Sequence, residues 1–95
     1  MKYDELRSSF LEERYVVRML IALGDKGETT RQDLYDSVSN GSSSVGGKLN
    51  QLIVLGMVQE EVRRAMPFTK RLTLTEKGAR VAALLKQVET ALADG

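Results

Sequence analysis

Thr30-Arg31-Gln32-Asp33-Leu34-Tyr35-Asp36-Ser37-Val38-Ser39-Asn40-Gly41-Ser42-Ser43-Ser44-Val45-Gly46-Gly47-Lys48-Leu49-Asn50-Gln51-Leu52-Ile53-Val54-Leu55-Gly56 is the stretch that decides how this 95-residue chain folds. Thr30 reads as an N-cap, with Asp33 at the third helical position to reach back toward the free amides of the first turn. The helix it opens is short, Arg31 to about Val38, and turns Leu34, Tyr35 and Val38 inward. Ser39-Asn40-Gly41 is a tight turn, since Asn and Gly tolerate the positive φ that such turns need. Ser42 or Ser43 caps the next helix, which spans about 43–55 and stops at Gly56. Its Val45, Leu49, Leu52 and Ile53 recur at helical spacing and form the buried stripe. Helix, tight turn, helix at this spacing is the pattern of a DNA-binding helix-turn-helix.

Outward from that unit, the period changes at Gly56 from about 3.6 to 2. Val58, Glu60, Val62 and Arg64 alternate with Met57, Gln59, Glu61 and Arg63, the stretch from Arg64 to Thr69 turns around Pro67, and Lys70 to Leu74 returns with Leu72 and Leu74 on one face. The segment of about 57–74 is therefore a β-hairpin. Its tip carries Met66 and Phe68, read as folding back onto the domain or as a partner-binding patch. Thr75 caps a last helix of about 75–92, with Glu76 placed for the N-terminal dipole. On the other side, Asp4 to Leu23 is helical in pattern, as one run or two pieces, ended by Gly24-Asp25-Lys26-Gly27. Val17, Leu20 and Ile21 form one apolar stripe there and Val16, Met19 and Leu23 a second beside it. One stripe suffices for a surface helix, so two imply burial by the core and by something else.

The chain length is that of a single domain, 1–95, mainly α with a small β-hairpin. With no cysteine and no histidine, disulfides, thiolate metal sites and the commonest general base are excluded. No phosphate-binding Gly loop or Gly-x-Ser-x-Gly elbow occurs, so neither an enzyme nor a metal or other cofactor is expected. No apolar run exceeds the five residues of Met19 to Leu23, too short to span a bilayer, and no signal-peptide core follows Met1, which predicts a cytoplasmic protein without a membrane partner. The net charge of +1 divides unevenly: residues 1–38 hold six Lys and Arg against eight Asp and Glu, and residues 39–95 hold eight against five. The positive surplus thus lies with the second helix of the unit and the hairpin.

Ser43-Ser44-Val45-Gly46-Gly47-Lys48-Leu49-Asn50-Gln51-Leu52, followed by Leu55-Gly56-Met57-Val58, resembles the recognition helix and helix-to-wing junction of winged-helix regulators, the broad MarR, ArsR and PadR-like group. Arg71-Leu72-Thr73-Leu74-Thr75-Glu76-Lys77-Gly78 is similar to their return strand and the start of their last helix. The resemblance covers roughly residues 13–85. It implies a winged helix-turn-helix fold, with the hairpin as the wing along the DNA backbone or in the minor groove, and duplex DNA as the partner. Transcriptional regulation is the function expected, with a winged-helix protein–protein interaction module as the alternative.

The candidate DNA-binding residues follow from the faces. Opposite the buried stripe, the recognition helix carries Ser44, Gly47, Lys48 and Gln51, with Asn50 at the edge. Gln and Asn pair with adenine in the major groove, and Lys with guanine or phosphate. Arg63, Arg64, Lys70 and Arg71 flank the wing tip and suit phosphate contacts. Gly46 and Gly47 stand where the resembled regulators often carry longer side chains. Two glycines in mid-helix cost about 2 kcal/mol relative to alanine, so they should serve close approach of the backbone to DNA or to a neighbouring helix. They also leave few base-reading arms, which favours low specificity or readout through DNA shape. Finally, Val81, Leu84, Leu85, Val88 and Leu92 make an apolar seam at coiled-coil spacing on the last helix, read as the interface of a homodimer.

Overall fold

In the computed structural model, which describes residues 3–39, 44–64 and 69–94, the chain first makes two short 3₁₀ turns, Tyr3–Glu5 and Arg7–Glu12. Seven elements follow in order: α1 (Val16–Lys26), β1 (Glu28–Thr29), α2 (Arg31–Val38), α3 (Val45–Val54), β2 (Val58–Arg63), β3 (Thr69–Leu74) and α4 (Glu76–Asp94). The expected turn at Asn40-Gly41, the Ser42 or Ser43 cap and the Met66 and Phe68 tip lie outside the described residues.

The first helical run differs from the sequence expectation at both ends. Residues 7–12 are 3₁₀, and α1 begins only at Val16, because Tyr15 sits in the left-handed region at φ 72° and interrupts the helical backbone. A residue with a side chain is strained there. Arg14 and Arg18 flank the Tyr15 ring, their guanidinium carbons 5.0 and 5.6 Å from its centroid, and Arg18 also donates to the carbonyl of Val38. At the other end α1 runs through Gly24-Asp25 to Lys26, and Gly27 rather than Gly24 is the stop.

α1 buries Val16, Met19, Leu20 and Leu23 against Leu34 and Val38 of α2 and Val45, Leu49 and Leu52 of α3. Met57, Val58, Leu72 and Ala82 close the core from the sheet and α4. Val17 and Ile21, two of the three residues of the other predicted stripe, are only half-buried. Thr30 caps α2 as read, its side chain accepting from the Asp33 amide.

The wing is a three-stranded antiparallel sheet in the order β1-β3-β2, not a two-stranded hairpin. β1 is two residues long, pairing Glu28 with Thr73 and Thr29 with Leu72. So short a strand has no periodicity to read and is created by the pairing itself. In β2 and β3, Val58, Glu60 and Val62 lie opposite Leu74, Leu72 and Lys70, while Gln59, Glu61 and Arg63 lie opposite Thr73, Arg71 and Thr69. The first set faces the helices; the second faces outward.

The two sequence segments that resemble winged-helix regulators meet in one joint. Gly56, at φ 78°, ends α3 in a conformation that favours glycine. The Thr75 hydroxyl donates to the Gly56 carbonyl at 2.5 Å and accepts from the Gly78 amide at 3.0 Å, capping α4. The Thr75 amide donates to Met57 O at 3.0 Å. A Cβ on Gly78 would stand 1.9 Å from that same Met57 oxygen, so only glycine lets the first turn of α4 lie on the start of the wing.

α4 has 19 residues and outruns the core, which helps give the molecule its long dimension of 49 Å against 30 and 28 Å. Val81 and Leu85 pack on the core, whereas Leu84, Val88 and Leu92 are 60%, 51% and 73% exposed. Lys86 ties the helix to Asp25 at the end of α1, at 3.0 Å. No helix among the described residues is long and apolar enough to cross a membrane.

Candidate nucleic-acid interface

Burial of Val45, Leu49 and Leu52 turns the opposite face of α3 outward. Ser44, Gly47, Asn50 and Gln51 are exposed there, as the spacing predicted. Lys48 is not a loose arm: it is half-buried, its side chain 25% exposed, and its Nζ lies 2.5 Å from Glu13 Oε2 of the N-terminal segment. That segment runs beside α3, so that Phe10 and Glu13 share a groove with Gly47, Asn50, Gln51, Val54 and Leu55.

The two glycines of α3 have different surroundings. A Cβ on Gly47 would meet nothing within 4 Å. One on Gly46 would lie 3.3 Å from the Tyr35 hydroxyl, a close approach between α3 and α2. The expectation of a near neighbour therefore holds for Gly46 within the domain.

The four basic residues of the wing do not form one cluster. Strand register puts Arg63 and Arg71 on the outward face and Lys70 on the helix-facing side, with Arg64 just beyond the end of β2. Arg64 and Lys70 are exposed and Arg71 is half-buried beside Glu61, its partner in register. Arg63 reaches across the outward face to form an ion pair with Glu28 of β1. Two of the residues singled out from the sequence, Lys48 and Arg63, are thus engaged by carboxylates.

The strongest polar feature escaped the sequence reading. Arg31, in the first turn of α2, grips Glu60 of β2 with two bonds, Nε to Oε2 at 2.8 Å and Nη2 to Oε1 at 3.0 Å. The same guanidinium donates to the Tyr35 hydroxyl and, from Nη2, to Asn50 Oδ1, both at 3.2 Å. One side chain therefore joins α2, α3 and the wing. Hydrogen bonds from Arg31 hold the Glu60 carboxyl below the ordinary range, aided by the charges of Arg31 and Lys70 and opposed by partial burial. Glu60 in turn raises the guanidinium pKa further, against some desolvation. In the fold the Glu60 carboxylate belongs mainly to Arg31. Only the i, i+4 spacing of Arg31 and Tyr35 was there to be seen in the sequence.

Among the described residues no group of three or more His, Cys, Asp or Glu is placed to hold a metal ion.

No family model matches the sequence, and no curated protein matches it significantly. Solved structures do match. Diamide-treated YodB from B. subtilis, a transcriptional regulator, superimposes with a TM-score of 0.73 at 24% identity, over 99% of this chain and 94% of that one. A protein of Thermoplasma volcanium GSS1 provisionally assigned to the HxlR family of transcriptional factors gives 0.76 at 24% identity, over 98% and 84%. One from Porphyromonas gingivalis W83, provisionally a MarR-family transcriptional regulator, gives 0.75 at 11% identity, over 95% and 92%. All three are described as regulators of transcription and none as an enzyme. At these identities it is the fold that is shared, and the fold of this chain is the winged helix-turn-helix of such regulators, with a long C-terminal helix.

Proposed function

We propose that this protein is a DNA-binding transcriptional regulator that acts as a homodimer in the cytoplasm. The observation that carries the reading is the outward face of α3, with Ser44, Gly47, Asn50 and Gln51 exposed together and Lys48 at its border, linked through Arg31 to a basic wing. α3 enters the major groove, and Arg64, Lys70 and Arg71 contact phosphates; Lys48 and Arg63 join them by exchanging Glu13 and Glu28 for DNA oxygens. Dimerisation uses α4, where Leu84, Val88 and Leu92 continue the apolar seam beyond Val81 and Leu85. Two-fold symmetry then presents two copies of α3 to successive major grooves.

A gel shift on generic duplex DNA over a salt series tests this. Binding that weakens linearly in log salt supports it. Absence of binding at low salt would overturn it in favour of a winged-helix protein-interaction module, a reading consistent with the carboxylates already paired to Lys48 and Arg63.

A further inference from the structure

A guanidinium carries five N–H donors and no acceptor. The amide of Asn50 therefore has one orientation beside Arg31: the oxygen faces the guanidinium, and the nitrogen points elsewhere. Glu60 fixes the guanidinium plane through two bonds to the wing, so the group that holds Asn50 is itself anchored. Tyr35 steadies it from α2, in space that Gly46 leaves open by having no side chain.

This bears on which base an exposed Asn50 reads. Asparagine recognises adenine with both ends of its amide, accepting from N6 while donating to N7. Arg31 takes one lone pair of Oδ1 and holds the oxygen on its own side, so the end turned away from it is the NH2 group, which has two donors. Guanine is the base whose major-groove edge offers two acceptors, O6 and N7. Resting on the DNA-binding reading above, we infer that Arg31 is a positioning residue that presents the NH2 end of Asn50 to the base, selecting guanine over adenine at one position of the bound DNA.

The test is selection of bound fragments from a randomised duplex pool by the full chain, its Asn50→Ala variant and an Arg31→Met/Glu60→Met double variant. Asn50→Ala locates the position that Asn50 reads, as the one whose preference disappears. There the wild type is expected to favour guanine over adenine roughly tenfold. The double variant removes both charges together, leaving neither unpaired, and releases Oδ1, so its preference at that position should move to adenine. A thermal melt checks that it folds. Should it not, Arg31→Met alone, which leaves the Glu60 carboxylate without its partner but removes every donor to Oδ1, must give the same shift. The inference is overturned if the wild type selects adenine there, if no position responds to Asn50→Ala, or if the released variant keeps guanine. Salt-dependent binding without base preference overturns it while leaving the DNA-binding reading standing; no binding by the wild type overturns both.

Discussion

The Arg31 guanidinium meets the Glu60 carboxylate side-on, with bonds of 2.8 and 3.0 Å between residues 29 apart in sequence. Through this pair the first turn of α2 is fastened to the first half of β2, and the angle between helix-turn-helix and wing no longer depends on apolar packing alone.

Acid should loosen this fastening. The Glu60 carboxyl titrates lower in the folded chain than in the unfolded one, mainly because it accepts from Arg31. Its contribution is therefore fully present above the unfolded carboxyl pKa of about 4.3, and is lost as the pH falls through the lower folded value. Glu60→Gln should cost about 1–2 kcal/mol near neutral pH, the partial exposure of Arg31 keeping the figure modest. It should also flatten the decline of stability below about pH 4. Urea unfolding of both proteins over a pH series measures this, and parallel acid limbs would refute the assignment.

Three glycines should respond differently to alanine. Gly78→Ala sets a methyl against the Met57 carbonyl and should cost about 3 kcal/mol, at the upper end for overpacking. Gly47→Ala meets open space and should gain up to about 1 kcal/mol from helix propensity. Gly46→Ala should gain less, because Tyr35 has to yield a few tenths of an ångström. Melting temperatures rank them; Gly78→Ala melting with the wild type would remove the account of the joint.

For the dimer, the discriminating residues are Val88 and Leu92, which are exposed in the single chain, rather than Leu85, which packs on its core. Val88→Asp/Leu92→Asp should convert a sedimenting dimer to a monomer with its helix content nearly unchanged, since charge at a buried seam costs several kcal/mol. A wild type already monomeric at tens of micromolar would end the proposal.

The wing residues should separate by their partners. Replacing Arg64 or Lys70 by alanine should weaken binding alike on all sequences and lower the slope of log affinity against log salt by about 1 each. Arg63→Ala should do less, because Arg63 has to leave Glu28 before it meets a phosphate. Equal slopes for all variants and the wild type would remove the wing from the interface.

Glu13→Gln offers the converse case. It frees Lys48 from its ion pair and removes a negative charge from the border of the α3 face. Affinity for duplex DNA at low salt should rise severalfold, corresponding to about 1 kcal/mol for an exposed pair. A fall in affinity would mean that Glu13 positions Lys48 for DNA rather than withholding it.

Much of this protein was legible in the sequence because it is local. The Thr30 and Thr75 caps, the stop at Gly56, the stripe Val45, Leu49 and Leu52, and the change of period after Gly56 each depend on residues a turn or two apart. Side-chain reach and backbone geometry act over that range, so the pattern alone determined two helices, a wing and a last helix. The tertiary structure decided what depends on residues brought together from afar. It made a strand of Glu28-Thr29 by laying it on β3, and it gave Lys48 to Glu13, Arg63 to Glu28 and Glu60 to Arg31. A charged side chain carries no mark of its partner in the sequence, because an ion pair is chosen by which elements pack side by side. The apolar residues of α4 divide for the same reason: Val81 and Leu85 face a core only as wide as α1 and the sheet, and the helix runs on past it, leaving Leu84, Val88 and Leu92 uncovered within the chain.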